Sequence, residues 1–156
     1  MHQGIGLDAF NALPERKAVH ALYECCNSVT LAGDLAKGRA YGDHDALFRR
    51  ADALLFSLSE QSIDSILQAY PCSVKPCDDS ERDALRIAEQ TYRDTFGFDY
   101  VMYVAGLCAP DVLTTIADRM HHDVETERKV VCNELAKINR TRLERMLGPE
   151  GGFYNW

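Results

Sequence analysis

The sequence has no long apolar run, little proline, and fewer basic than acidic residues. Five prolines and ten glycines among 156 residues exclude a fibrous or linker-like chain. The longest apolar stretch, residues 100–109, is about half the length of a bilayer-spanning helix, so we expect no membrane association. Seventeen basic and twenty-four acidic residues give a net charge of −7, and nucleic acid is therefore not an expected partner. The amino terminus lacks the basic start and apolar centre of a signal peptide, so we expect a cytoplasmic protein.

The six cysteines form neither a disulfide framework nor a metal-binding pattern. Cys25 and Cys26 are adjacent on a predicted helix, and a chain of this length buries a sufficient core without bridges. We therefore expect reduced thiols. Cys72 and Cys77 have the spacing closest to that of zinc ligands, but no second pair and no nearby histidine completes a set of four. The sequence predicts no metal site.

Apolar residues at helical spacing occur along nearly the whole chain. With 46% hydrophobic residues and the length of one domain, the sequence predicts an all-α, single-domain bundle of about seven helices. Residues 98–104 are rich in β-branched and aromatic side chains and too short for another helix, so they are predicted to be extended. The fourth helix is expected to run up to Pro71. The predicted helices begin at Pro14, Ser28, Asp43, Ser59, Ser80, Pro110 and Asp123.

Arg142 lies within an apolar stripe on the last predicted helix. On a helical wheel with Val131 at zero, Arg142 falls near 20°, between the directions of Ile138 and Met146 (at roughly 100° per residue). A guanidinium aimed at a core needs an anion, because an unpaired buried charge costs several kcal/mol. The anion is either a carboxylate of the protein, or that of a substrate, which arginine binds with two parallel hydrogen bonds. A side chain that extends to solvent at the helix end is the third interpretation.

Other polar residues give weaker signals. His121 and His122 sit at a helix junction and are expected to be solvated, and no histidine has a partner at catalytic spacing. Glu89 and Gln90 could supply an acid or base, but a mid-helix pair of this kind is more often solvated. The tail at 153–156 contains three aromatic residues, including the only tryptophan. It is expected either to dock on the bundle, a partner subunit or the pocket mouth, or to be a disordered terminus.

Five segments together carry a family resemblance: Phe10-Asn-Ala-Leu13, Tyr70-Pro71, Tyr92-x3-Phe-Gly-Phe98, Arg119-x3-Asp123-x-Glu125-x-Glu127 and Glu134-x2-Lys-Ile-x3-Arg-Leu143. In this order and spacing they resemble the 2-oxo-4-hydroxy-4-carboxy-5-ureidoimidazoline (OHCU) decarboxylases, which catalyse the last step from urate to (S)-allantoin. The resemblance implies one domain within residues 1–156, with a core at 7–147 and an aromatic tail at 148–156. It also implies an all-α bundle, often dimeric, that needs neither a metal nor an organic cofactor.

The resemblance also implies where the substrate binds. Family members use the histidine of a His-Pro step, a following Glu-Gln pair, backbone groups of the Phe-Gly-Phe stretch and an arginine on the last helix. Carried over by position, the predicted catalytic residues are Tyr70 and Arg142, with Arg142 as the family arginine. The predicted substrate-binding residues are Pro71, Cys72, Phe98, Asp99, Tyr100, Met102 and Val104.

The chain departs from the family pattern at several of these positions. Tyr70 stands where the family has histidine, Cys72-Ser73 replaces Asp-Leu, and Asp99 replaces proline. The run from Pro71 to Ser80 is much shorter than in the family, and the Glu-Gln segment is absent. Because a phenol titrates near pH ~10 and an imidazole near pH ~6.5, Tyr70 is expected to donate a hydrogen bond to a developing oxyanion rather than act as a base.

Three functions follow from this combination. The favoured one is a repurposed, cofactor-independent enzyme that acts on a small carboxylated, nitrogen-rich molecule by decarboxylation or related lyase or cyclisation chemistry, in a specialised pathway. For this function Tyr103 joins the candidate residues around the pocket. The second is a genuine OHCU decarboxylase with substituted catalytic groups, and the third is a non-catalytic ligand-binding or interaction module. The expected partners are a small anionic substrate and a second copy of the chain.

Overall fold

Helices account for most of the residues that the structure describes, which are 4–70 and 74–149 of this computed structural model. No strand occurs in these two ranges, which confirms the all-α fold class. None of the helices found there is long and apolar enough to cross a membrane. The helices are α1 (Leu7–Ala12), α2 (Glu15–Cys26), α3 (Val29–Lys37), α4 (His44–Phe56), α5 (Glu60–Leu67), α6 (Asp79–Phe96), α7 (Ala109–Arg119) and α8 (Val124–Leu147).

Side-chain caps begin several helices where the sequence predicts them. The Ser28 hydroxyl accepts a hydrogen bond from the Leu31 amide at 3.2 Å at the start of α3. The Asp43 carboxylate accepts from Ala46 at 2.7 Å at the start of α4. Asp123 begins α8 in the same way, accepting from the Thr126 amide at 2.7 Å. Each oxygen satisfies an amide that has no partner within its helix.

Two predicted boundaries were wrong. The fifth predicted helix, now α6, is capped by Asp78 rather than Ser80, because the Asp78 carboxylate already accepts from the Glu81 amide at 2.8 Å. The preceding helix, α5, ends at Leu67 and does not reach Pro71. Its last turn tightens instead, since the amide of Tyr70 donates to the carbonyl of Leu67 at 3.1 Å.

An eighth helix, α1, was not predicted. It has only six residues, no side-chain cap and a single buried residue, Phe10. Its support comes from far along the chain, because one nitrogen of Arg39, Nη1, donates to the carbonyls of Phe10 and Leu13, both at 2.8 Å. No local sequence pattern marks such a helix.

The buried face of α8 differs from the predicted one. Arg142, Ile138 and Met146 are only half-buried, so the helical wheel was wrong to place Arg142 at the centre of the buried stripe. Burial advances in steps of four residues, and each step rotates the buried face by about 40°. By the end of the helix this face has moved past Arg142. The buried residues are Glu127, Val131, Leu135, Asn139, Leu143 and Leu147.

The chain divides into two compact units. One contains the residues before Glu60 together with those after Leu135, and the other runs from Glu60 to Leu135. We call them the first and the second unit. The first includes α1–α4 and residues 136–147 of α8, and the second includes α5–α7 and residues 124–135. The expectation of a single domain stays a prediction.

In the first unit, the backbone near the amino terminus caps the end of α8. The amides of Ile5 and Gly6 donate to the carbonyls of Met146 and Leu147, both at 2.8 Å. The last carbonyls of a helix have no partner within the helix, so these two bonds satisfy them. Gly4 allows this approach, because its φ of +81° is one that other residues rarely adopt.

Replacing Gly4 should therefore destabilise the fold. A Cβ at this position would lie 2.7 Å from the Cα of Gly148 and closer still to its nitrogen. We expect Gly4→Ala to lower the free energy of unfolding by about 1–3 kcal/mol in urea titrations. The control is Gly33→Ala in α3, where a Cβ meets nothing within 4 Å and a gain of about 0.5–1 kcal/mol is expected. Equal changes in the two variants would show that the close approach at Gly4 does not matter.

Candidate functional site

The second unit contains a cleft of about 790 Å³. Its walls come from α5 and the turn after it, from α6, and from the chain that follows α6. Gly97 ends α6 in a left-handed conformation with φ of +86°, and the chain then continues without helix or strand through residues 99–104. A cleft of this size holds a small molecule.

Four predicted site residues line this cleft, namely Tyr70, Phe98, Asp99 and Tyr100. The side chain of Tyr70 is nearly fully buried, at 3% exposed. Residues 98–104 lie outside the helices, as predicted. Their roles in binding or catalysis stay predictions.

Three of the other predicted site residues, Met102, Val104 and Arg142, do not line this cleft. Met102 accepts a hydrogen bond on its sulfur from the Tyr100 hydroxyl at 2.8 Å, and Val104 accepts one on its carbonyl from the Leu107 amide at 3.0 Å. Arg142 belongs to the first unit, where its Nη1 lies 3.4 Å from the carbonyl of Cys25. Pro71, Cys72 and Ser73, like the aromatic tail at 153–156, fall outside the described residues.

An ion pair at the cleft joins α6 to the segment after it. Arg93 Nε lies 2.6 Å from a carboxylate oxygen of Asp99, Oδ1. The Nη1 atom of Arg93 also donates to the amide oxygen of Gln90 at 3.3 Å, and Gln90 in turn donates to Asp94 at 2.9 Å. The Asp99 side chain is 26% exposed and that of Arg93 is 53% exposed, so the pair is accessible to solvent.

A second arginine supports the cleft from behind. Arg128 forms two parallel hydrogen bonds with the carboxylate of Asp64, at 2.6 and 3.3 Å. Its guanidinium also lies 4.3 Å from the centre of the Phe98 ring. The hydrogen bond to Asp64 raises the pKa of Arg128. Phe98 and Asp64, which both line the cleft, are thus held by one cation.

A buried ion pair holds the backbone beside the cleft. Arg119 and Glu127 are almost completely buried, and Arg119 Nε lies 2.5 Å from Glu127 Oε1. The same oxygen accepts from the Tyr92 hydroxyl at 2.6 Å, while Arg119 Nη1 donates to the carbonyl of Val101 at 2.8 Å. Burial, together with the hydrogen bond to Glu127, raises the pKa of Tyr92. Burial alone would lower the pKa of Arg119, but the hydrogen bond to Glu127 favours the charged guanidinium, and the pKa is raised overall.

His122 is exposed, as predicted, but it also contacts a buried carboxylate that the sequence did not reveal. Although its side chain is 38% exposed, its Nδ1 lies 3.0 Å from the second carboxylate oxygen of the buried Glu127. His122 therefore completes the hydrogen bonding of that carboxylate. The sequence does not reveal this contact, because Glu127 lies among acidic residues that are expected to be exposed.

Sequence reasoning missed three charged residues of the cleft. Asp64, Glu89 and Arg93 line it, although Glu89 was expected to be solvated in mid-helix and the other two were not singled out. Glu89 and Arg93 are four residues apart on α6, which places them on the same face. That spacing was the available signal, but many solvated helix faces show it too.

Comparison with known proteins identifies the family. The family model described as OHCU decarboxylase matches residues 11–73 and 72–144, which is most of the chain. This chain belongs to the OHCU decarboxylase family. The two matched pieces overlap at residues 72–73.

Two curated relatives of this family member match in part. A uric acid degradation bifunctional protein of Bacillus sp. (strain TB-90) is 26% identical over 138 residues, which cover 77% of this chain and 28% of that protein. A 2-oxo-4-hydroxy-4-carboxy-5-ureidoimidazoline decarboxylase of Halalkalicoccus jeotgali is 29% identical over 73 residues, or 47% of this chain and 42% of that protein. The chain thus spans less than half the length of either curated relative.

Solved structures show the same fold. A crystal structure of (S)-allantoin synthase matches with a TM-score of 0.80 at 21% identity, over 92% of this chain and 54% of that one. A crystal structure of OHCU decarboxylase in the presence of (S)-allantoin matches with a TM-score of 0.71 at 16% identity, over 80% of this chain and 95% of that one.

Removing the buried carboxylate should cost more than removing an exposed one. Glu127→Ala leaves the buried guanidinium of Arg119 without its anion, and we expect a loss of about 3–5 kcal/mol in the free energy of unfolding. Glu125→Ala, on the same helix, removes a carboxylate whose side chain is 85% exposed and should change stability by less than about 1 kcal/mol. Urea titrations of both variants test this, and similar losses would contradict the structure.

Thiol labelling should separate buried from exposed cysteines. Burial raises the pKa of Cys25 to about 12 and also raises the pKa of Cys26, so both should react with a disulfide reagent only after unfolding.

Cys77 is exposed, but the nearby Glu81 carboxylate raises its pKa. Because the thiolate is the reactive form, Glu81→Gln should lower that pKa and speed labelling of Cys77 near neutral pH, as followed by mass spectrometry. Glu125→Gln makes the same charge change on α8 and should leave the rate unaltered.

Proposed function

We propose that this chain is a cofactor-independent enzyme of the decarboxylase type that binds a small carboxylated, nitrogen-rich molecule in the cleft of the second unit. The observation that carries the proposal is the coincidence of two things. The family match extends over both halves of the chain, and four residues assigned by the family resemblance line a single cleft of about 790 Å³. The urate pathway is the metabolic setting that the relatives' names support.

The reaction requires positioning of the substrate, stabilisation of charge and one directed proton transfer. The bond between the substrate carbon and its carboxylate breaks, carbon dioxide leaves, and the electron pair is delocalised in the nitrogen-rich ring. A proton is then delivered to one face of that carbon. The protein must orient the carboxylate, exclude water and stabilise the charge that develops.

Tyr70 is suited to the last of these tasks. It is buried at the wall of the cleft, where a phenol hydroxyl can donate a hydrogen bond to a developing oxyanion without competition from bulk water. It occupies the position at which the family resemblance implies a histidine. The resemblance gives Arg142 the role of the arginine that binds the substrate carboxylate; because Arg142 belongs to the first unit and does not line this cleft, that role stays a prediction.

Two substrates come into question. The substituted residues, Tyr70 and Asp99, favour a molecule other than OHCU, since each replaces a group of the family pattern at the cleft. OHCU itself remains the second candidate, because a curated relative is named as its decarboxylase. A site that binds its ligand without chemistry is the third.

The deciding experiment generates OHCU in situ from urate and adds this protein. Decay of OHCU and the optical activity of the allantoin formed are followed by circular dichroism. Faster decay with a single enantiomer would support OHCU as the substrate. A decay rate equal to that in buffer, with racemic product, would rule out OHCU and leave other small carboxylated ureides as substrates to be tested. If none of these is turned over either, the decarboxylase proposal fails.

Two substitutions test the residues on whichever substrate is turned over. Tyr70→Phe removes only the hydroxyl, and Arg142→Ala removes the guanidinium, so each should lower kcat/KM by about 100-fold or more. Matched controls are Tyr23→Phe, whose side chain is exposed, and Arg145→Ala on the same helix as Arg142. Full activity in both test variants would show that the site is placed wrongly.

A further inference from the structure

The ion pair between Arg93 and Asp99 determines what the cleft presents to a ligand. Asp99 holds the Nε of Arg93 at 2.6 Å and Gln90 holds its Nη1 at 3.3 Å. Arginine binds a carboxylate best with two parallel N–H groups on one edge of the guanidinium. One N–H of the edge that contains Nε is already taken by Asp99. A ligand carboxylate would have to approach beside a carboxylate that is already there.

Charge also disfavours an anion at this end of the cleft. Asp64, Glu89 and Asp99 line the cleft together with one arginine, Arg93. The second arginine, Arg128, is bonded to Asp64 through two parallel hydrogen bonds. A carboxylate placed against Arg93 therefore meets the like charge of Asp99 at nearly the same distance as the charge that attracts it. The two Coulomb energies largely cancel.

The pair still offers two unused hydrogen-bonding atoms. Within residues 4–70 and 74–149, neither the second oxygen of Asp99 nor the Nη2 of Arg93 takes part in a hydrogen bond. One is an acceptor and the other a donor, and they belong to groups in direct contact. An acceptor beside a donor is complementary to an uncharged edge that carries N–H next to C=O. Ureas, amides and cyclic ureides have such an edge.

We propose that Asp99 is a specificity-determining residue of the cleft, which makes the Arg93 end select an uncharged N–H/C=O edge over a carboxylate. The proposal rests on the proposed function only in taking this cleft as the ligand site. This selectivity orients the substrate in the cleft, because the carboxylate that is lost as carbon dioxide must then face away from Arg93.

The test compares two ureides, one without and one with a carboxylate. Allantoin is an uncharged cyclic ureide at neutral pH, and allantoate is its ring-opened form with a carboxylate. Affinities of both are measured by isothermal titration calorimetry at low ionic strength. We expect the wild type to prefer allantoin, and Asp99→Asn to bind allantoate about tenfold more tightly than the wild type does, which corresponds to roughly 1.4 kcal/mol. Asp99→Ala, which removes both oxygens, should show the same gain.

Two further variants separate a local from a general charge effect. Asp83→Asn makes the same charge change on α6, but Asp83 is exposed, does not line the cleft and takes no part in the contacts of Arg93. The allantoate affinity of this variant should therefore change by less than about twofold. Adding Arg93→Gln to Asp99→Asn should abolish the gain, because the guanidinium that binds the carboxylate is gone. Circular dichroism verifies that each variant is folded.

Three results would overturn the proposal. The first is a wild type that prefers allantoate. The second is a gain in Asp83→Asn equal to that in Asp99→Asn. The third is no gain in allantoate binding by either folded Asp99 variant, which includes the case in which neither probe binds measurably. Because binding is measured without turnover, the outcome is independent of the decarboxylase assay. If Asp99→Asn gains allantoate affinity but no substrate is turned over, Asp99 is a specificity residue and the enzyme function is refuted. If a substrate is turned over but Asp99→Asn gains no allantoate affinity, the enzyme function stands and the role of Asp99 is refuted.

Discussion

The buried pair of Arg119 and Glu127 is the interaction on which the second unit depends. Removing two charges from water costs several kcal/mol for each, so such a pair is stable only if its other hydrogen-bonding groups are also satisfied. Here they are, because Arg119 also bonds the carbonyl of Val101 and Glu127 also bonds Tyr92 and His122. Four parts of the chain must therefore take one arrangement together, namely α6, α7, α8 and the segment after α6. The wall of the cleft is one product of that arrangement.

Helix positions in this chain could be predicted where the signal is local. A short polar side chain with the correct backbone begins a helix whatever lies around it, and Ser28, Asp43 and Asp123 do so. Prediction fails where a helix is held by residues distant in sequence, as α1 is by hydrogen bonds from Arg39. It fails also for the direction of burial along α8. A helical wheel assumes a straight stripe, whereas a long helix buries a face that rotates along its length.

The residues of the cleft also divide into those that could be located from the sequence and those that could not. The segment of Phe98, Asp99 and Tyr100 could be located because its composition interrupts the helical pattern and because the family resemblance marks it. Arg93 and Asp64 could not, since a charged residue on a helix looks the same in sequence whether it faces water or a cleft. Glu127 is the extreme case. It stands among the acidic residues of an N-terminal helical turn, and only the fold shows that it is fully buried.

The way in which residues 99–104 are held has an evolutionary consequence. Arg119 donates a hydrogen bond to the carbonyl of Val101, and Glu134 accepts one from the amide of Tyr103 at 2.9 Å. Both hydrogen bonds are therefore made to the main chain. A main-chain bond is indifferent to the side chain at that residue. Substitutions along this segment can thus alter the chemistry at the edge of the cleft while the backbone keeps its place. Asp99, which stands where the family resemblance implies proline, lies in this segment and lines the cleft.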